Sequence, residues 1–468
     1  MNYAYVKTMA KQLTVLFIPI NAVGHLNACI GIAEPLIEKG HRVVFAVENR
    51  FQTLLEPFGI EVISFTNNLT AADNNPAKHE AKHEAKHEAK HEAKQEANQV
   101  MASGMLSDLP PIERLQQLFK YMSLRIAGHI AIAGHIALDR EVETIVKQIS
   151  VNLIVLDQHF PLPYVEACGI PIVWVRSGNP LMLLDDERTP PAFSGLPITS
   201  DKSEWKRFRE LRVNAEDREA WSRLNDYIIS RGCAPINRDI LFNPNISQCL
   251  SIYGYPLELD YLDVRPLPPN CIRFDNLMRN EKHSTFVLPD VLTQKSDEKL
   301  IYFSLGSMGA ANVDNMKRLV SILGKSRHRF IVSKGPLHEA YTLADNMWGA
   351  GTVPQLQVLP LVDLVITHGG TNTVSESVYF GKPVIVLPFF GDQHDNGQQI
   401  QHKGFGLTLN AFRCTEEELL GAVDRLLTDE ALNQKLAQIG ERIRTENSLS
   451  KIPEIFEDFI ANRHKYIK

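Results

Sequence analysis

The chain has 468 residues, of which 44% are hydrophobic and 22% charged, an ordinary composition for a soluble globular protein. Its net charge of −6 excludes a global positive field that would draw it to nucleic acid or to an anionic membrane surface. The six cysteines contain no CxxC pair, which argues against a zinc site or a disulfide framework and is typical of a reducing compartment.

Neither end of the chain carries a recognisable membrane or export signal. The first 12 residues lack the apolar centre of a signal peptide, and the last 13 lack the ~20 apolar residues that span a bilayer. We therefore expect a cytoplasmic protein without a membrane anchor. Its length exceeds what one hydrophobic core usually supports, so we also expect two domains.

Short apolar runs alternate with amphipathic stretches along the chain. Continuous hydrophobicity predicts parallel strands that are covered on both faces, and the helices between them complete βαβ units. Core-facing helices are predicted at Leu26–Leu36 and Glu417–Leu427. The predicted strands are Leu13–Ile18, Val43–Val47, Leu153–Leu156, Pro171–Val175, Leu300–Ser304, Phe330–Val332, Leu364–Thr367 and Val384–Leu387. The predicted fold class is therefore α/β, with two Rossmann-like halves.

A low-complexity insert occupies residues 77–98 and consists of repeats of Ala-Lys-His-Glu. The period of four places like charges side by side on a helix, which makes it a poor helix. We interpret it as a solvated helix or a disordered loop. The alternative is a metal site formed by the stripe of histidines, His79, His83, His87 and His91.

A candidate catalytic pair lies in the first half. His25 follows the first predicted strand, where its imidazole, with an ordinary pKa near 6.5, can accept a hydroxyl proton. Asp157 closes the strand Leu153–Leu156 and can hold one ring nitrogen of His25, fixing its tautomer. From the residues alone, a capping or packing role for His25 is the better interpretation. His159 is a weaker candidate for catalysis.

The proline-rich stretch at residues 265–270 marks the predicted domain boundary. The first domain would span residues 1–270, a linker 271–284, and the second domain 285–452. A tail, residues 453–468, would pack back on the first domain. Neither half shows GxGxxG after its first strand, which counts against a dinucleotide-dependent dehydrogenase.

The strongest motif follows the strand Leu364–Thr367 and begins with His368 and two glycines. Gly369 and Gly370 let the backbone approach a ligand closely. Backbone N–H groups and the helix dipole at Asn372 and Thr373 favour a phosphate. His368 can donate a hydrogen bond to the same diphosphate.

Three further positions complete this region. Glu376, one turn later, can accept hydrogen bonds from ribose hydroxyls. Asp392 and Gln393 follow the next strand, at the carboxyl edge where α/β proteins bind ligands. Ser307 lies in a small-residue turn after the strand Leu300–Ser304 and is weak support by itself.

Residues 352–393 resemble the donor-binding signature of the UDP-glycosyltransferase family, whose GT-B fold sets two Rossmann-like domains around a cleft. The matching elements are Pro-Gln at 354–355, His-Gly-Gly at 368–370, Asn-Thr at 372–373, Glu376, Gly-Lys-Pro at 381–383 and Asp-Gln at 392–393. The chain is most similar in character to arthropod detoxification members and bacterial macrolide glycosyltransferases. Thr352 departs from the pattern, because most members carry there a Trp that stacks on uracil. Trp348 is the nearest indole.

The resemblance implies roles for individual residues. His25 would be the catalytic base and Asp157 its partner, as in the family's His–Asp dyad. Asp392-Gln393 is similar to the glucose-preferring version of the motif. The implied donor contacts are Val353 and Gln355 to the nucleoside, Ser307, His368, Gly370, Asn372 and Thr373 to the diphosphate, Glu376 to the ribose, and Asp392 and Gln393 to the sugar.

The implied function is metal-independent, inverting transfer of glucose from UDP-glucose to a hydroxyl of a small lipophilic acceptor. No cofactor beyond the UDP-sugar and no nucleic-acid partner are expected, and the protein should be a monomer. The alternatives are a nucleotide-sugar-binding protein without transferase activity and a lipid-linked N-acetylglucosaminyltransferase of the same fold.

Overall fold

The computed structural model describes residues 12–65, 94–95, 97–118, 130–183, 185–215, 218–235, 249–281, 285–293 and 298–467. Most of the insert at 77–98 lies outside these residues, and all four of its histidines do. Among the residues described, no helix has the length and apolar character needed to cross a membrane. Within the same ranges, no three His, Cys, Asp or Glu side chains are grouped as a metal site.

The first domain is built on a seven-stranded, all-parallel sheet in the order β3-β2-β1-β4-β5-β6-β7. Its strands are buried on both faces: Val15 and Phe17 of β1 face one core, and Leu16 and Ile18 face the other. The strands are β1 Thr14–Pro19, β2 Arg42–Glu48, β3 Glu61–Phe65, β4 Leu153–Asp157, β5 Ile172–Arg176, β6 Leu250–Gly254 and β7 Cys271–Phe274.

Helices cover this sheet. The first, α1, follows β1 directly and contributes Leu26, Cys29 and Ile30 to the core shared with β1. The helices are α1 Val23–Glu38, α2 Gln52–Leu55, α3 Ile130–Gln148, α4 Pro163–Ala167, α5 Lys202–Ala215 and α6 Arg218–Ser230, with further helical residues at 97–102 and 111–118.

The second domain has a six-stranded parallel sheet in the order β10-β9-β8-β11-β12-β13. Its strands are β8 Leu300–Ser304, β9 Arg329–Ser333, β10 Met347–Ala350, β11 Leu364–Thr367, β12 Val384–Val386 and β13 Gly406–Thr408. Its helices are α7 Gly306–Gly309, α8 Val313–Leu323, α9 Gln355–Val358, α10 Thr371–Tyr379, α11 Gln393–His402, α12 Glu416–Thr428 and α13 Glu430–Glu446. The two parallel sheets confirm the predicted GT-B class.

The boundary between the domains differs from the sequence prediction. We placed the linker at 271–284, but Cys271–Phe274 forms β7, the edge strand of the first sheet. The first domain therefore extends at least to Phe274. The proline-rich stretch at 265–270 interrupts the chain before this last strand, because proline cannot take part in a regular ladder there.

The C-terminal helix α14, Ile452–Ala461, returns to the first domain. Its buried face, Ile452, Phe456 and Phe459, belongs to the same hydrophobic core as α1. The carboxylate of Glu457 lies 3.1 Å from Nε2 of the buried His41. The end of the chain thus ties the two domains together.

The order of strands reverses between β1 and β4 in the first sheet and between β8 and β11 in the second. Crevices of this kind lie outside the carboxyl ends of the strands and are where open α/β sheets bind ligands. The two crevices face each other, since Asn372 Nδ2 of the second domain donates a hydrogen bond to Gly24 O of the first at 2.8 Å. The site is therefore a cleft between the domains.

Candidate active site

A histidine and an aspartate meet at the crevice of the first sheet. His25 is the third residue of α1, and Asp157 is the last residue of β4, the strand beside β1. Nδ1 of His25 lies 2.8 Å from Oδ2 of Asp157. Because a carboxylate only accepts hydrogen bonds, Nδ1 carries the proton and Nε2 is left free to accept one. The side chains of His25 and Asp157 are 23% and 4% exposed, so the imidazole is accessible from the cleft and the carboxylate is buried behind it.

The surroundings of His25 make it a stronger base. Burial lowers the pKa of the imidazole, but the charge and hydrogen bond of Asp157 and the charge of Asp392 outweigh burial and raise it above 6.5. Asp392 belongs to the second domain, so the charge that acts on His25 comes from both sides of the cleft.

His159, the weaker candidate, sits edge-on to the His25 ring with the ring centroids 5.8 Å apart. Burial, with the nearby His25, lowers the pKa of His159 to about 3. The His159 ring is therefore neutral at physiological pH. Both rings line a small cavity together with Val175, Arg176 and Met182.

The crevice of the second sheet is formed by two glycine-containing turns in contact. Gly306 follows β8 with a φ of +68°, and a Cβ there would lie 2.8 Å from Cε1 of His368. A Cβ on Gly370 would lie 2.7 Å from Nε2 of the same ring. Burial lowers the pKa of His368 to about 4, countered in part by a hydrogen bond to the backbone of Ser304. His368 is thus neutral and can offer a ligand a hydrogen bond but no charge. Ser307 is exposed beside this turn.

The helix α10 begins against the cleft with Gly370 as its N-cap, and no side chain caps its first turn. Its backbone N–H groups and dipole are therefore available to an anion. Asn372 bonds across the cleft to Gly24 O, one residue before His25. Thr373 is buried, and its hydroxyl accepts a hydrogen bond from Gln355 Nε2 at 3.2 Å. The predicted diphosphate positions accordingly surround the start of one helix.

A buried polar cluster surrounds Glu376, one turn into α10. Gln355 donates its amide to the Glu376 carboxylate and accepts a hydrogen bond from Tyr302 OH at 3.1 Å. Arg279 Nη1 lies 4.0 Å from Glu376 Oε1. Burial raises the pKa of Glu376 to about 7, and Arg279 and Gln355 oppose that rise only in part. Gln355 and Glu376, both predicted for the nucleoside end, are therefore brought into direct contact.

Glu376 should make the stability of the protein pH-dependent. Its folded pKa lies above its ordinary value of 4.5, so its stabilising contribution is complete below pH 4.5 and is lost as the pH rises through about 7. Ionisation of Glu376 should lower the free energy of unfolding by on the order of 1–3 kcal/mol, and Glu376→Gln should abolish this decrease because glutamine stays neutral. We expect the difference in Tm between variant and wild type to be more positive at pH 8 than at pH 5. The control is Glu454→Gln, at an exposed glutamate of α14; equal differences at both pH values would refute the assignment.

Asp392 and Gln393, the predicted sugar contacts, lie where β12 meets α11. Oδ2 of Asp392 accepts hydrogen bonds from Thr371 Oγ1 at 2.8 Å and from the backbone N–H of Asn179 at 3.0 Å. The carbonyl oxygen of Gln393 accepts the N–H groups of Phe389 and Phe390. The side-chain oxygen of Gln393 is thus occupied, which leaves its amide N–H group as a donor and Asp392 as the acceptor of the predicted pair.

The end of the site that the resemblance implies would bind uracil differs most from the family pattern. Val353 is buried beside Tyr302 and Leu356, and Thr352 is exposed. The ring of Trp348 packs against Phe286, with the centroids 5.6 Å apart. Trp348 thus packs β10 against Phe286, which precedes β8. Thr352 stands at the sequence position where most family members carry the aromatic residue.

Several residues of the site were missed by the sequence analysis. Ser177 and Asn179 bond Asp157 and Asp392, while Asn396 bonds Thr371 and the backbone of Gly369. The signal that could have found the first two is their position directly after β5, at the same carboxyl edge as Asp157. Asn396 offers no such signal, because it lies one turn inside a helix.

The geometry agrees with comparisons to known proteins. Residues 257–442 match the family model described as UDP-glucoronosyl and UDP-glucosyl transferase. Human UDP-glucuronosyltransferase 1A6 is 25% identical over 317 residues, 64% of this chain and 58% of the human protein. NDP-glycosyltransferase YjiC of Bacillus subtilis (strain 168) is 23% identical over 457 residues, 96% of this chain and 98% of the bacterial protein.

Among solved structures, the crystal structure of the glycotransferase of kitacinnamycin matches with a TM-score of 0.68 at 16% identity, covering 96% of this chain and 100% of that one. At this identity the match shows a shared fold. The chain spans less than two thirds of the human relative's length but nearly all of the bacterial one's.

Proposed function

Because the chain belongs to the UDP-glycosyltransferase family, we propose that it transfers glucose from UDP-glucose to a hydroxyl group of a small lipophilic acceptor. The observation that carries this proposal is the placement of the His25–Asp157 pair against the start of α10, where Asn372 bonds Gly24 at 2.8 Å. A base and an anion-binding helix start on opposite walls of one cleft are what transfer from a nucleotide sugar requires.

In the proposed reaction, Nε2 of His25 takes the proton of the acceptor hydroxyl. The acceptor oxygen forms a bond to the anomeric carbon from the face opposite UDP. The bond between that carbon and the diphosphate oxygen breaks, and UDP leaves with the electron pair. The configuration is inverted, so an α-linked donor gives a β-glycoside. His25 then releases its proton to solvent, while Asp157 stabilises the imidazolium in between.

The protein itself would stabilise the leaving diphosphate. The uncapped first turn of α10 offers backbone N–H groups, and neutral His368 and the exposed Ser307 offer hydrogen bonds beside it. These uncharged hydrogen-bond donors can stabilise the diphosphate without a metal ion. We therefore propose that turnover of the pure protein survives EDTA.

The lipophilic class of acceptor is supported by the wall of the cleft near His25. Val23, two residues earlier, exposes 54% of its surface, and Met182 lines the cavity next to His25. Met182 also packs against the core to which Phe193 belongs, and the loop of Phe193 and Gly195 is held to the second domain because Asp395 accepts both of their N–H groups at 2.6 and 2.8 Å. An apolar molecule would bury part of this surface.

The test is incubation with UDP-glucose and a hydroxylated flavonoid, with products read by mass spectrometry and the anomeric configuration by NMR. We expect a β-glucoside. Binding of UDP-glucose with no transfer to any hydroxylated acceptor would favour a nucleotide-sugar-binding protein. Transfer only from UDP-N-acetylglucosamine to a lipid-linked sugar would favour the other enzyme of this fold.

A further inference from the structure

The short segment after β5, Ser177–Asn179, touches both carboxylates of the cleft. Ser177 Oγ donates to Asp157 Oδ2 at 2.8 Å, and the backbone N–H of Asn179 donates to Asp392 Oδ2 at 3.0 Å. We propose that this segment, the bridging loop, is a positioning element that holds the catalytic base and the sugar-binding carboxylate in register. The inference rests on the proposed function, because that function gives the two carboxylates their roles.

Ser177 acts on the base through Asp157. Its hydroxyl shares Oδ2 of Asp157 with Nδ1 of His25, and the Asp157 side chain is only 4% exposed, which leaves little room for water to replace it. A donor on the shared oxygen draws charge from it and so weakens its pull on the imidazole proton. Ser177 thus fixes the carboxylate and moderates the pKa of His25.

Asn179 acts on the sugar end through buried hydrogen bonds. Its amide Nδ2 donates to Asn396 Oδ1 at 2.8 Å, and Asn396 Nδ2 donates to Thr371 Oγ1 at 3.0 Å. Thr371 in turn donates to Asp392 at 2.8 Å. Asn179 is 1% exposed and Asn396 fully buried, so these hydrogen bonds are shielded from water. Asn396 is also held by Tyr255 OH and by Gly369 O, so loss of the Asn179 side chain should loosen the cluster without dissolving it.

The loop approaches Asp392 closely. A Cβ on Gly178 would lie 3.4 Å from Asp392 Oδ2. A shift in the backbone of the loop would therefore move the Asp392 carboxylate. Because the loop has only three residues, the groups that bond Asp157 and Asp392 lie close together in the chain.

The first test measures the pKa of His25 by NMR, in protein labelled with ¹³C at histidine and with the signal assigned from His25→Gln. The titratable and charged groups around His25 come from four elements and include Cys29, Asp157, His159, Arg176 and Asp392. All of these groups remain in Ser177→Ala, so a change in the pKa of His25 in this variant reports the loss of the Ser177 hydroxyl. We expect its loss to raise the pKa of His25 by roughly half to one unit.

Ser177→Thr should restore the wild-type pKa, and Ser230→Ala, at a helix end away from the cleft, should leave it unchanged. Ser177→Cys keeps only a weak donor and should shift the pKa in the same direction if the alanine variant unfolds. An unchanged or lowered pKa of His25 in folded Ser177→Ala or Ser177→Cys overturns the role of Ser177.

The second test measures binding by calorimetry in Asn179→Ala, or in Asn179→Ser if the alanine variant unfolds. We expect UDP-glucose to bind roughly 3- to 10-fold more weakly and UDP with unchanged affinity, because only the sugar reaches Asp392. Equal weakening of both ligands overturns the role of Asn179. Neither test measures turnover. If the wild-type protein transferred no sugar, the proposed function would be wrong, but these two measurements would still show whether the bridging loop positions the two carboxylates.

Discussion

Replacement of His25 with alanine should lower kcat for sugar transfer by roughly 100- to 10,000-fold while the affinity for UDP stays unchanged. The His25 imidazole lies at the cleft, and its Nδ1 is 2.8 Å from Oδ2 of Asp157, which leaves Nε2 to accept a proton. The predicted diphosphate contacts surround α10 in the other domain. Under the proposed mechanism, His25→Ala should therefore affect proton transfer and leave the predicted nucleotide site intact. Steady-state kinetics and UDP calorimetry measure the two effects separately.

The same assignment predicts the pH dependence. The raised pKa of His25 means that the unprotonated base accumulates only above pH 6.5, so kcat/KM should rise with pH through a midpoint higher than that value. His159→Ala is the matched control, since its ring is 5.8 Å away and its pKa of about 3 keeps it neutral throughout. Retained transfer with lost UDP affinity in His25→Ala would show that the residue binds the donor instead.

The core of the fold could be predicted because its central strands are apolar on both faces. All eight predicted strands are present, and each is displaced by at most one residue at either end. Five strands were not predicted. Among them, Glu61–Phe65, Cys271–Phe274, Met347–Ala350 and Gly406–Thr408 lie at or near the sheet edges, where one face or neighbour is missing and polar residues or glycine interrupt the apolar run. Edge strands give a weaker hydrophobic signal.

The site could be predicted where it depends on strand ends and could not where it depends on contacts between domains. His25 and Asp157 follow adjacent parallel strands, so topology alone brings them together. The contact between Asn179 and Asn396 spans 217 positions of the chain and needs the two domains to be docked. The hydrogen bonds of Gln393 could not be predicted either. Its side-chain oxygen accepts the backbone N–H groups of Phe389 and Phe390, and no sequence pattern indicates these contacts.

Asp392→Ala should lower kcat/KM for UDP-glucose by roughly 100- to 10,000-fold. A carboxylate that accepts hydrogen bonds from two sugar hydroxyls contributes on the order of 1.5–3 kcal/mol through each of them. Thr371 and Asn179 already hold one oxygen of Asp392 in place, so the carboxylate is oriented before the sugar arrives. UDP affinity should be retained, as measured by calorimetry. Asp395→Asn is an unsuitable comparison because Asp395 holds the loop at Phe193. The control is Asp345→Ala, at an exposed aspartate before β10.

The pair should also discriminate between sugars. In the proposed binding mode, the equatorial hydroxyls on the third and fourth carbons of glucose donate to Asp392 and accept the amide N–H of Gln393, whereas the axial fourth hydroxyl of galactose would leave one buried partner unpaired. That loss costs on the order of 1–3 kcal/mol, which gives a preference for UDP-glucose over UDP-galactose of roughly ten- to a hundredfold. Gln393→Ala should reduce the preference, although it also frees the N–H groups of Phe389 and Phe390. When both donors compete in one reaction and the products are separated, equal incorporation or an excess of galactose would refute the sugar assignment and leave the roles of His25 and Asp157 untouched.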